Sequence, residues 1–205
     1  MFIEIESLTK EYNYSTIFEN ISDTFSPNHR IAVLGENGSG KSTFLKVLCG
    51  MVDATQGKIR WRNDDRTFQK HQWFQYFSFS SPQLFFGDQM TVEEVFHYFM
   101  RLKSFQKDID PQKALDILSF EVHRDKPLKR LSSGMYQRIR LVLTICTDAP
   151  VLFLDEPCSN LDKKGVDLYH QLIDEYGQNR MIFVASNDER EYDFCDRMLS
   201  ITDYK

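Results

Sequence analysis

Eight consecutive residues, Gly35-Glu36-Asn37-Gly38-Ser39-Gly40-Lys41-Ser42, fit the spacing G-x-x-x-x-G-K-[ST]. Glycines at these places let successive backbone N–H groups turn inward around phosphate oxygens, and a helix beginning at the same point adds positive potential. Lys41 can then reach β- and γ-phosphates, while the Ser42 hydroxyl can take a coordination place on Mg²⁺. ATP or GTP is the ligand this pattern implies. A second candidate group lies far along the chain, where the apolar run Val151-Leu152-Phe153-Leu154 is closed by Asp155-Glu156. At the end of a buried strand, Asp155 can help hold the Mg²⁺ shell and Glu156 can polarise a water for in-line attack. Alone, the two acids read equally well as an exposed turn; beside a phosphate loop they read as catalytic.

Both groups need strands and helices to hold them. Phe2–Glu6 alternates like a half-buried strand, and Ile31-Ala32-Val33-Leu34 is a short apolar run of the kind covered on both faces in a parallel sheet. A helix after the glycine-rich turn has Phe44, Leu45, Val47 and Leu48 on its apolar side and Gly50 as its C-cap. Residues from about 57 to 80, with Trp61, Phe68, Trp73, Phe74, Tyr76, Phe77 and Phe79, read as antiparallel strands. A base-stacking platform for single-stranded nucleic acid is the alternative for these aromatics, and the formal net charge of −5 favours core packing instead.

From Thr91 the pattern turns helical. Thr91-Val92-Glu93-Glu94 has capping-box spacing, which makes Glu93 and Glu94 first-turn acids rather than a catalytic pair. Further helices are expected over about 111–120 and 132–147, and another through Tyr169, Leu172 and Ile173. The last of these separates the buried-strand runs Val151–Leu154 and Met181–Val184. Strand and helix alternate at both ends with a helical stretch between, which predicts an α/β core carrying a helical subdomain.

The 205 residues, 41% apolar and 27% charged, suit one globular domain. Net acidity argues against a nucleic-acid partner. Cys49, Cys146, Cys158 and Cys195 form no C-x-x-C pair, so neither zinc nor disulfides are expected, as suits a reducing compartment. No run approaches the ~20 apolar residues of a membrane span, and the acidic N-terminus lacks the basic start of a signal peptide. A cytoplasmic protein is expected, with any membrane crossing left to a separate chain.

In the order of its motifs, nearly the whole chain resembles the nucleotide-binding domain of ABC transporters. Leu131-Ser132-Ser133-Gly134-Met135, followed by Tyr136-Gln137-Arg138, resembles the signature motif, and Ser159-Asn160-Leu161-Asp162 resembles the D-loop. Pro82-Gln83 ahead of Met90-Thr91-Val92 resembles the Q-loop, Tyr12 matches the aromatic that stacks on adenine, and Thr55–Ile59 resembles the turn ahead of the β-subdomain. The resemblance implies a P-loop NTPase core of the ABC ATPase type. An antiparallel β-subdomain belongs to that core, and a helical subdomain is inserted between the phosphate loop (Walker A) and the signature motif. One domain is expected, with 1–83 and 150–205 as core and about 84–149 as helical subdomain.

By the same resemblance, Lys41, Gln83, Glu156 and Asn187 are catalytic. Tyr12, Gly35, Asn37, Gly38, Ser39, Gly40, Lys41, Ser42, Thr43, Ser132, Gly134 and Asp162 contact ATP, and Ser42, Gln83 and Asp155 surround Mg²⁺. Ser132 can N-cap a helix bearing Ile139, Val142, Leu143 and Cys146, and without the resemblance a capped core helix would suffice to explain it. With it, a head-to-tail dimer is implied, in which Ser132 and Gly134 close on the γ-phosphate held by the other subunit. An identical chain is the expected partner. A membrane-spanning permease on a separate chain would place the protein on the cytoplasmic face of a membrane. Leu84, Phe85 and Phe86 would then serve either that contact or the core.

Two departures stand out. Ser133 and Met135 replace the commonest signature residues, and Asn187, in Val184-Ala185-Ser186-Asn187-Asp188, stands where the family usually has histidine. An amide donates a hydrogen bond but does not titrate near neutral pH, so slower hydrolysis is expected. A soluble ABC ATPase, for example in iron–sulfur assembly, and a nucleotide sensor with little turnover are the alternatives. Each motif occurs once and no sustained heptad tract exists, unlike ribosomal and DNA-repair members of the family. The compact length, ending soon after Asn187, resembles export-type cassettes; the cargo is not written in the sequence.

Overall fold

Ile31–Val33 and Ile182–Val184 carry no charged side chain, as befits strands covered on both faces. In the computed structural model, which describes all 205 residues, they lie side by side in parallel register. They belong to the first of two compact units, formed by Met1–Phe77, Pro150–Glu156 and Asn179–Lys205. In chain order this unit contains β1 (Phe2–Tyr12), β2 (Ser15–Phe25), β3 (Arg30–Leu34), α1 (Lys41–Leu48), β4 (Gln56–Arg62) and β5 (Thr67–Phe68). The chain passes to the second unit within β6 (Phe77–Ser80) and returns for β7 (Val151–Asp155), β8 (Met181–Ala185) and β9 (Arg197–Ser200).

Strands β7, β8, β3 and β9 lie in that order and run parallel. Every residue of β7 and of β8 is buried, which explains their uniformly apolar sequences apart from Asp155. Phe153 and Phe183 stack across the β7–β8 pair at 5.1 Å between centroids, and Phe25 meets Phe183 edge-on at 4.9 Å. A second, antiparallel sheet has the order β2-β1-β4-β5. Its β1–β2 hairpin turns in two residues, Asn13 and Tyr14, both at positive φ, with Tyr12 facing Ser15. That is the backbone of the tight turns that match strand twist, although Tyr at the second place hides it from a sequence search for Asn-Gly.

The expectation of antiparallel strands throughout 57–80 holds only for β4 and β5. Lys70–Tyr76 forms a 3₁₀ helix, and β6 is not a member of the antiparallel sheet. Tertiary packing overrides strand propensity here. Trp73 stacks on fully buried Trp61 at 5.4 Å and its indole N–H donates to Phe68 O, while Gln69 and Gln72 close a capping box at the helix start. The Trp61 indole N–H donates to Leu48 O at the end of α1. Trp61, Phe68, Trp73 and Phe77 are core, as the charge balance favoured, whereas Phe74 is exposed.

The second unit comprises Ser78–Ala149 and Pro157–Gln178, with α2 (Val92–Leu102), α3 (Pro111–Leu118), α4 (Ser133–Ile145) and α5 (Lys163–Tyr176). Thr91 and Glu94 form the capping box of α2, and Glu93 pairs with Arg124 at 2.8 Å, so both acids have structural partners. Asp110 caps α3, with Pro111 at its first position. From Gln137 to Ile145 all but Arg138 are buried, so α4 is the central helix of this unit. No helix of the protein is long and apolar enough to cross a membrane.

Candidate functional site

The parallel sheet places the chemistry. Val33 pairs with Ala185, and Ala185 also faces Asp155, so the carboxyl ends of β3, β8 and β7 stand in one row. Ligands in open α/β sheets bind beyond this edge. Beyond β3 comes Gly35, beyond β7 Glu156, and beyond β8 Ser186 and Asn187. Three segments far apart in sequence are thus brought to one edge by strand register alone.

The loop from Gly35 to Gly40 curls because its glycines permit it. Gly40, at the N-cap of α1, has φ 111°, and a Cβ there would lie 2.4 Å from the Ile17 side chain. Gly35 has φ 145°, and its Cβ would lie 2.5 Å from Ser39 Oγ. The resulting cavity, about 210 Å³, is lined by Ile17, Asn37, Gly38, Ser39, Gly40, Lys41, Ser42, Thr43 and Glu156. Ser39 Oγ is buried without a hydrogen-bond partner in the protein, which leaves it able to bond a phosphate oxygen. Lys41 is 5% exposed, and its Nζ donates to Gly35 O at 2.7 Å and Glu36 O at 3.2 Å. Burial lowers its pKa, against the opposing influence of Glu156 and Asp155.

Ser42 Oγ donates to Asp155 Oδ1 at 2.8 Å, which joins the start of α1 to the end of β7. Asp155 is buried, whereas Glu156 is exposed on the cavity wall with φ 45° and its N–H donating to Ala185 O at 2.9 Å. This left-handed backbone turns the chain away after the strand. Asn187 Nδ2 donates to Asn37 Oδ1 at 2.9 Å. Tyr12 is 44% exposed at the end of β1, with Lys10 Nζ over its ring at 4.3 Å. A cavity lined by a glycine-rich loop at a helix N-terminus, with a buried ammonium and an acid on its wall, can hold a polyphosphate and present a base to water.

The remaining expected residues belong to the second unit. Gln83 is exposed, its backbone N–H donating to Ser81 Oγ at 3.3 Å. Ser132 Oγ accepts from Met135 N at 3.2 Å as the N-cap of α4, and a Cβ on Gly134 would stand 2.9 Å from Asn160 O. Asp162 accepts from Gly165 N at 2.9 Å, capping α5, and pairs with Arg138 at 2.5 Å; both interactions lower its pKa, the backbone bond more. Nearby, Arg140 donates to Leu84 O and Gln137 Oε1, with its guanidinium 4.4 Å from the Tyr136 ring centroid. Tyr136 in turn stacks on Phe86 at 5.6 Å and accepts from Phe86 N at 2.6 Å. Sequence reasoning missed Ile17, because β2 carries little alternation, and it missed the contact of Asn37 with Asn187.

Comparison with known proteins bears on the whole chain. The family model "ABC transporter" matches residues 18–159. The cytochrome c biogenesis ATP-binding export protein CcmA of Haemophilus influenzae is 24% identical over 99% of this chain and 96% of its own length. A putative ABC transporter ATP-binding protein of Pyrococcus furiosus superposes with a TM-score of 0.83 at 21% identity, covering all of both chains. A dimeric ATP-binding cassette in a post-hydrolysis state, bound to ADP and Pi, gives 0.81 at 18% identity over 97% of this chain and 94% of that one. With that family match and an intact phosphate-loop site, the chain belongs to the ABC transporter family, as an ATP-binding subunit whose hydrolysis of ATP drives transport.

Proposed function

We propose that this chain is the motor of an exporter, working as a pair of cassettes on the cytoplasmic face of a membrane beside a separate permease. The observation that carries the ATP-driven part of the reading is the Ser42–Asp155 hydrogen bond beside the phosphate-loop cavity, with Glu156 on the cavity wall. Tyr12 stacks on adenine. Loop amides, Ser39 and Thr43 hold the phosphates, and Lys41 neutralises them. Glu156 orients and deprotonates the attacking water.

Mg²⁺ fits the residues present. Ser42 and Asp155 offer two adjacent hard oxygens, the share a protein gives to an ion that also binds phosphate and water, and Gln83 is the third candidate. The chain has no cluster of three or more His, Cys, Asp or Glu that would hold a metal by itself. When bound, the ion supplies charge neutralisation at the β- and γ-phosphates.

Ser132 and Gly134 at the start of α4 serve the nucleotide of a second cassette, with Asp162 beside them. An identical chain is the partner, in keeping with the dimeric cassette among the similar structures. Export is taken from the relative named an export protein. Affinity purification of tagged Glu156→Gln protein from detergent-solubilised native cells, with ATP, tests the assignment. A multi-span membrane protein in the eluate is expected; an eluate of soluble partners alone would overturn the exporter reading. Asn187 makes turnover slow, and Asn187→His is expected to raise kcat about tenfold. No ATPase activity in either protein, with ATP still bound by Glu156→Gln, would make the site non-hydrolytic.

A further inference from the structure

Asn37 and Asn187 are 150 residues apart, yet their side-chain amides meet, with Asn187 Nδ2 donating to Asn37 Oδ1 at 2.9 Å. The two residues differ in position. Asn37 lines the phosphate cavity, whereas Asn187 is not among its lining residues. The segment bearing Asn187 is anchored on both sides: Ser186 N donates to Val33 O at 3.3 Å, and Asp188 N donates to Ser186 Oγ at 2.9 Å. Asp188 in turn accepts from Arg190 Nε at 3.0 Å. On the loop side, Ser39 N donates to Glu36 O at 3.0 Å, a turn that has Asn37 at its corner.

A side-chain amide has one acceptor oxygen and one donor nitrogen, related by a half-turn. With Oδ1 committed to Asn187, the group Asn37 has left is its NH₂, a donor, as a phosphate oxygen requires. We propose that Asn187 is a positioning residue that acts through Asn37. It fixes the amide so that Nδ2 faces the nucleotide, and it makes no contact with the γ-phosphate itself. The inference rests on ATP occupying this loop. It also separates Asn187 from the histidine it replaces: acting through Asn37, on the part of the loop that meets the phosphates ADP and ATP share, Asn187 is felt equally by both nucleotides.

Fluorescent ADP and ATP are titrated into Glu156→Gln protein carrying Asn187→Ala, Asn37→Ala, both, or Asn187→Asp, with thermal unfolding confirming that each variant is folded. Asn187→Ala is expected to weaken ADP and ATP by the same factor, about fivefold for one hydrogen bond. Added to Asn37→Ala it should cost nothing further, since its route to the nucleotide is gone. Asn187→Asp can only accept, so it turns Asn37 Nδ2 toward itself, leaves an oxygen facing the phosphates, and should weaken both nucleotides more than alanine does. Loss of ATP affinity with ADP unchanged, or an equal loss with and without Asn37, would overturn the inference and leave the ATP site standing. Failure of the parent protein to bind either nucleotide would remove both.

Discussion

The phosphate loop and the start of α4 are both helix N-termini, but they keep their polar groups differently. In the loop, Ser39 Oγ is buried and unpaired, Lys41 is held by two carbonyls that a phosphate can replace, and Glu156 stands exposed on the cavity wall. At α4, Ser132 is committed to Met135 N, and Asp162, which the resemblance places with it, is committed to Gly165 N and Arg138. A site built to bind a ligand leaves donors and acceptors unspent; a helix cap spends them on its own backbone. Within one chain, therefore, only the first region has the form of a nucleotide site. The second acquires such a role only against a surface from elsewhere, in keeping with its proposed place in a dimer.

That contrast is open to attack in order of expected effect. Glu156→Gln should reduce ATP turnover about a hundredfold or more while retaining ATP affinity, whereas Lys41→Ala should lose affinity about tenfold to a hundredfold. Steady-state ATPase assays and equilibrium titration separate the two, and loss of affinity in Glu156→Gln would mean that the acid holds ligand rather than water. Gly40→Ala forces a side chain into left-handed backbone and onto Ile17. It should lower stability by about 1–2 kcal/mol, measured by urea unfolding, and weaken ATP. Ile17→Ala in the same protein should relieve the collision but not the backbone strain. The smallest effect is at Ser132. Alanine there should cost about 1 kcal/mol by losing the cap, and aspartate should restore it. Aspartate should not restore ATPase activity, because its charge opposes a phosphate. Recovery of both by aspartate would reduce Ser132 to a cap alone.

How far these features could be read from sequence depended on how local their causes are. Gly35–Ser42, the buried runs of β3, β7 and β8, and the capping box of α2 are each written in adjacent residues, because hydrogen bonding and burial there are set by near neighbours. Lys70–Tyr76 was not legible as a 3₁₀ helix, since Trp73 is placed by stacking on Trp61 and by a bond to Phe68 O. Nor was β2, whose Ile17 and Phe18 gain their meaning from Gly40 and from Phe44, the latter met edge-on at 5.6 Å. The amide pair of Asn37 and Asn187 depends on two strands lying in register, which neither residue encodes.

The stacked indoles also decide what a spectrometer would see. The protein has two tryptophans, Trp61 and Trp73, and both are in the core of the first unit, 5.4 Å apart with planes 16° from parallel. Tryptophan fluorescence, excited at the red edge where tyrosine does not absorb, therefore reports that core alone, while α2–α5 of the second unit contribute most of the helical ellipticity. Unfolding curves from the two signals coincide if the units melt together and part company if one loosens first, so unmodified protein carries a separate optical reporter for each unit.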